Sequence, residues 1–150
     1  MKRSLIAAIV VCAGAGLANA GAIAPADVVI EDMTVGTSLT GVPGDPANGR
    51  KVFANRKKGN CLACHANSDM SEMLFHGEIG PALDGVAERY APEQLRAILV
   101  NSKAVFPDTI MPGFYVDSST LHRVMPKFQG KTILTAQEVE DVLAYLQTLK

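Results

Sequence analysis

An all-α domain preceded by an extended arm is the fold this sequence predicts. Three observations carry it. The stretch Thr135-Ala136-Gln137-Glu138 has the form of a helix start and leads into a single apolar stripe. Two earlier stretches, at Pro46 and Pro92, place proline at a first helical position. Only Val28-Val29-Ile30 reads as a possible short strand, inside a tract with no sustained period.

The chain begins Met1-Lys2-Arg3, runs apolar from Leu5 to Leu17, and then reaches Ala18-Asn19-Ala20. A charged start, a short apolar run and a small-residue end form a secretory signal, cut after Ala20. The apolar run is shorter than the roughly 20 residues a membrane span needs, so no span is expected after cleavage. Cys12 leaves with this segment and lacks the surroundings of a lipid attachment site. Residues 1–20 are thus read as signal, 21–44 as arm, and 45–150 as one domain. Fourteen basic and 15 acidic residues give a formal charge of −1, and losing Lys2 and Arg3 takes it to −3. That balance argues against nucleic acid as a partner.

Residues 21–44 are Gly-, Thr- and Pro-containing, and either lie on their own domain or reach a partner. Asp45 can cap a helix whose first position is Pro46. This helix should run through Gly49, Val52 and Phe53 to about Lys57, with Gly59 as its stop. Gly49 and Phe53 lie one turn apart on one face, and a glycine there lets another backbone approach. Residues 66–79 form a long connection containing His76, and Gly80-Pro81 and Asp84-Gly85 punctuate a loop. Pro92 opens a second helix with Leu95, Ile98 and Leu99 on its inner face, although Ala91 is a poor cap. Residues 101–131 hold Pro107, Pro112 and Pro126 and read as irregular chain with one or two short turns. In the last helix, Thr135 and Glu138 form a capping box, and Leu134 can staple onto Val139. Val139, Val142, Leu143, Leu146 and Leu149 then make one stripe.

The chemistry centres on Cys61-Leu62-Ala63-Cys64-His65. Two thiols three positions apart followed by histidine form the attachment signature of c-type haem. Both thiols can form thioethers at one porphyrin edge, and the imidazole then faces the iron. A zinc site would need a second pair of ligands, and a thioredoxin-type pair would need a βαβ context; neither is present in the sequence. One covalently bound haem c is expected. Using both remaining cysteines leaves the mature chain no free thiol.

A second iron ligand must come from elsewhere. Met111-Pro112 and Met125-Pro126 both place a thioether before a proline, which restrains a loop. Met111 has Ile110, Phe114 and Tyr115 nearby, whereas Met125 lies between Arg123 and Lys127, costlier to bury. His76 and His122 are further candidates, with loop or surface placement the plainer reading of each. Met70 and Met73 read as packing or exposed residues. Arg50, Lys51, Arg56, Lys57 and Lys58 form a basic group that either steers an acidic partner or simply solvates a helix end.

These parts in this order resemble a class I cytochrome c. Gly49 and Phe53 are similar to that family's first helix, Asp141-Val142-Leu143-Ala144-Tyr145-Leu146 to its last, and Gly80-Pro81-Ala82-Leu83-Asp84-Gly85-Val86 to its loop after the haem motif. The resemblance implies that the first and last helices cross at a small residue with an aromatic from each. It also implies that the Pro81 carbonyl accepts the Nδ1–H of His65, and that His65 and Met111 are the iron ligands. More narrowly, Gly77-Glu78-Ile79-Gly80-Pro81, Thr109-Ile110-Met111-Pro112-Gly113-Phe114-Tyr115 and Ile133-Leu134-Thr135-Ala136-Gln137-Glu138-Val139-Glu140-Asp141 resemble the SoxX family. Those are mono-haem subunits of the SoxAX cytochrome, an L-cysteine S-thiosulfotransferase-type complex of the periplasm. That resemblance implies a heterodimer with a SoxA-like haem subunit, coupling of thiosulfate to a cysteine of a sulfur-carrier protein, and electrons passed to a small c-type cytochrome. The chain would be a relay, not catalytic alone. A free-standing periplasmic shuttle cytochrome and a haem sensor are the alternatives.

Overall fold

The computed structural model describes residues 21–150. The signal read at residues 1–20 lies outside them. Four α-helices carry the fold: α1 (Pro46–Ala54), α2 (Val86–Arg89), α3 (Pro92–Val105) and α4 (Ala136–Leu146), joined by loops and short 3-10 turns. Among the described residues the only β feature is an isolated bridge between Glu31 and Thr34. The possible strand at Val28-Val29-Ile30 does not form. Asp32 and Met33, at φ 46° and 61°, turn the chain back at once and leave it nothing to pair with.

The first helix starts as expected, with the Asp45 carboxylate accepting the Ala47 N–H at 2.9 Å ahead of Pro46. It ends three residues earlier than the expected Lys57. Asn55 is the cause. Its side chain accepts the Lys57 N–H at 2.9 Å, and its carbonyl accepts from Lys58 and Asn60, which closes a turn in place of further helix. The α2 turn was not expected, because four residues are too few to show a helical period. In α3, the Gln94 side chain accepts the Ala91 N–H at 3.0 Å, supplying half of a capping box that alanine cannot complete. The helix kinks at Asn101 (φ −147°, ψ 87°), where the sequence stops being periodic, and resumes to Val105.

α1 and α4 cross at Gly49. A Cβ there would lie 1.9 Å from the Asp141 carbonyl oxygen, so the two backbones touch. Phe53 and Tyr145 meet edge to face beside the crossing, with ring centroids 5.6 Å apart. The aromatic-flanked crossing at a small residue is therefore present. The buried Asp141 carboxylate fastens it, accepting from the Asp45 N–H, Asn48 Nδ2 and Gln137 Nε2 at 2.7–2.9 Å. Burial works against the charge of Asp141, but these hydrogen bonds outweigh it and hold its pKa below the usual value. The capping box of α4 is complete, and Val139, Val142, Leu143, Leu146 and Leu149 are all buried. Each such side chain contributes about 1.5–3 kcal/mol through apolar burial.

The arm lies on its own domain. Val35 and Leu39 are buried, and their backbone bonds to Glu93, Arg96 and Glu140 seat the arm across α3 and α4. The Arg96–Glu140 ion pair beneath it is nearly dry, at 11% and 5% side-chain exposure. The Tyr115 hydroxyl donates to the Ile23 carbonyl at 2.7 Å and pins the far end.

Candidate haem site

Asn60 takes a left-handed conformation (φ 50°, ψ 44°) and turns the chain into a single 3-10 turn, Cys61–Ala63. The turn is one residue short of Cys64, so Cys61 and Cys64 flank it as close neighbours. The Cys64 and His65 N–H groups both donate to the Cys61 carbonyl, at 3.1 and 3.0 Å, which fixes the imidazole just beyond. Burial in the folded chain pushes the Cys61 thiol up to about 12.

His65 Nδ1 lies 2.7 Å from the Pro81 carbonyl oxygen. A carbonyl only accepts, so Nδ1 carries the proton and Nε2 presents its lone pair outward. Residues 77–80 run alongside the motif to hold this arrangement. Gly77 donates to the Leu62 carbonyl at 2.8 Å and Gly80 to that of Cys64 at 2.7 Å. A Cβ on Gly80 would come within 2.4 Å of the His65 ring, and one on Gly77 within 2.0 Å of the Ala63 carbonyl oxygen. Gly80 reads as loop punctuation in the sequence and Gly77 falls inside the long connection; both are close approaches.

The connection between His65 and Pro81 is tied down by residues that local patterning did not single out. Asn67 is fully buried and donates to the Tyr145 hydroxyl at 2.9 Å, which donates to Asp69 Oδ2 at 2.7 Å. Arg50 reaches the same carboxylate at 3.0 Å, the Asp69 carbonyl at 2.7 Å and Glu72 at 2.8 Å. Tyr145 and Arg50 hold Asp69 below the usual carboxylate range, and burial together with Asp69 pushes Tyr145 up to about 12. Asp84 accepts both the Ser68 N–H and its hydroxyl, and these bonds lower its pKa.

The other candidates separate cleanly. His76 uses both ring nitrogens: Nδ1 accepts from the Asn67 N–H at 3.3 Å, and Nε2 faces the Met70 carbonyl at 3.2 Å. It fastens the loop. His122 is exposed, Met70 is fully buried in the core, and Met125 is 61% exposed. Met111 is half-buried and packs against the core. Phe114, three positions on, lies beside the motif: a Cβ on Gly59 would be 3.2 Å from Cys61 Sγ and 3.6 Å from the Phe114 ring. Of the basic group, Arg50 and Lys58 are paired, the latter with Glu138, while Lys51, Arg56 and Lys57 are exposed. Among the described residues no three His, Cys, Asp or Glu side chains group to hold a metal ion.

Two neighbouring thiols, an imidazole whose Nδ1–H is committed to a carbonyl, and a glycine where a Cβ would strike that ring together fit a covalently attached haem. The sequence pattern of cytochrome c matches residues 46–150. The chain belongs to the cytochrome c family. As such it carries a covalently bound haem c, and the pair Cys61 and Cys64 followed by His65 is consistent with the attachment motif. Among solved structures, this cytochrome is similar to the crystal structure of SoxXA from P. pantotrophus. The two share 40% identity over 87% of this chain and 99% of that one, with a TM-score of 0.80. That match bears out the SoxX resemblance. A second structure, the c-type cytochrome SorU from Sinorhizobium meliloti, shares 26% identity over 69% of this chain and 88% of its own, at a TM-score of 0.45. An uncharacterized lipoprotein of Aquifex aeolicus is 31% identical over 90 residues, 60% of this chain. The cytochrome spans about a third (36%) of that protein's length.

Proposed function

We propose that this cytochrome is the electron-relay subunit of a periplasmic SoxAX-type heterodimer that couples thiosulfate to a cysteine of a sulfur-carrier protein. The observation that carries the proposal is the near end-to-end match with SoxXA, at 40% identity. The chain's own chemistry agrees with it. Joining a thiosulfate sulfur to a cysteine sulfur forms an S–S bond, releases the thiol proton and leaves two electrons to be carried away. Such a step needs a reactive sulfur. Both cysteines among the described residues stand in the haem motif, so the sulfur chemistry belongs to a SoxA-like partner. The haem, when bound, supplies one-electron chemistry at iron.

The residues divide the work as follows. Cys61 and Cys64 would hold the group covalently, and His65 Nε2 would ligate its iron. The Pro81 carbonyl fixes the His65 tautomer and ring orientation. Met111 would supply a thioether ligand to that iron, which favours the reduced state and suits a relay to a small c-type cytochrome. Residues 1–20 direct the chain to the periplasm and are cut after Ala20.

The test is to purify the untagged cytochrome from its native periplasm and add thiosulfate with the carrier protein. Copurification of a second haem subunit, and reduction of this haem on addition, is the expected result. A cytochrome that purifies alone and stays oxidised under those conditions is a free shuttle, and the proposal fails.

A further inference from the structure

The kink in α3 frees backbone acceptors that the Met111 loop then uses. In an unbroken helix the Leu99 and Val100 carbonyls would accept from the next turn. Here they accept the Phe114 and Tyr115 N–H groups, both at 3.1 Å. Gly113 fits into the bend, where a Cβ would be 2.4 Å from Val116 and 3.1 Å from the Val100 carbonyl oxygen. Just beyond the kink, Ser102 is completely buried, and its hydroxyl donates to the Met111 carbonyl at 2.6 Å. The Met111 N–H is held from the other side by Thr109 Oγ1 at 3.2 Å. Lys103 in turn holds the Thr109 carbonyl. Both main-chain groups of Met111 are thus anchored by hydroxyls that belong to the protein alone.

We infer that Ser102 and Thr109 are positioning residues for the distal ligand, holding the Met111 backbone so that its thioether stays on the oxidised iron. This rests on Met111 being that ligand. A soft thioether binds Fe(III) more weakly than Fe(II), so the oxidised state is where a loop must do the holding. Each hydrogen bond contributes modestly, and losing one should raise the rate at which the ligand lets go by about fivefold to tenfold.

The experiment uses the haem-loaded protein and follows cyanide binding to the ferric form, a reaction that waits for the distal position to open. Ser102→Ala and Thr109→Val should each speed it by about fivefold to tenfold and lower the reduction potential. Thr109→Ser, which keeps the hydroxyl, should restore the wild-type rate. Should Ser102→Ala not yield a haem protein, the Thr109→Val and Thr109→Ser pair decides, since Thr109 is itself half-buried in a largely exposed loop. Wild-type cyanide kinetics in Thr109→Val, or in a folded Ser102→Ala, overturn the inference. Met111→Ala separates the two levels. It should abolish the thioether–Fe(III) charge-transfer band, and a band that survives means Met111 is not the ligand at all.

Discussion

Gly80 has no room for a side chain, because the first carbon of one would fall inside contact distance of His65. Gly80→Ala should push the imidazole off the Pro81 carbonyl and cost about 1–3 kcal/mol of stability, the usual range for overpacking. Thermal unfolding of the haem-loaded protein, with the reduction potential alongside, measures it; an unchanged midpoint and potential would show that the ring can give way. The contrast with Cys61, Cys64 and His65 explains what was legible. Those three are neighbours in sequence, so their chemistry is written in five letters. Gly80 and Asn67 act through contacts with distant residues, and a single glycine or asparagine in a loop gives no local sign of its partner. Met111 is a candidate through its apolar neighbours and Pro112, whereas the hydroxyls of Ser102 and Thr109 that bond its backbone carry no such local pattern.

Helices α1 and α4 and the loop at 66–79 are joined by the Arg50–Asp69–Tyr145–Asn67 network. Folding lowers the Asp69 pKa from 3.8, chiefly through the Tyr145 hydroxyl and then Arg50. A carboxylate lowered in this way adds stability that is present above its unfolded pKa and lost as pH falls through the folded one. Chemical denaturation from pH 5 downward should therefore show stability falling below about pH 4, the ordinary carboxylate range. Asp69→Asn should make that fall shallower without removing it, since Asp84, Asp117 and Asp141 are lowered as well. An identical slope in the variant would mean Asp69 is paired equally well in the unfolded chain. The boundaries of these elements were legible where a cap stood in the sequence, at Asp45 and Thr135. They were misjudged at the end of α1, where Asn55 bonds to its own downstream backbone and stops the helix ahead of Gly59.

At the scale of the whole molecule, the arm closes the domain. Leu39 is fully buried, and its N–H donates to Glu140 at 2.8 Å over the Arg96 ion pair. Leu39→Ala should cost about 2–5 kcal/mol, as large-to-small core changes do. Urea denaturation checks this, and a loss under 1 kcal/mol would show that the arm sits loosely. The sequence left open whether residues 21–44 serve their own domain, because burial of two isolated apolar residues, Val35 and Leu39, makes no periodic pattern.

The crossing of α1 and α4 also sets an order of events. Asn48 and Asp141, which bond across it, stand 93 positions apart. During synthesis from the amino end, α1 and the two thiols are made long before Tyr145 exists. Until α4 arrives, Phe53 has no aromatic to meet, and Asp69 and Asn67 have no hydroxyl between them. Closing so long a loop is entropically slow, though its cost grows only with the logarithm of length. The nascent chain therefore presents Cys61 and Cys64 on an open segment for as long as its last eleven-residue helix is missing. The final locking of the domain waits on one helix at the far end of the chain.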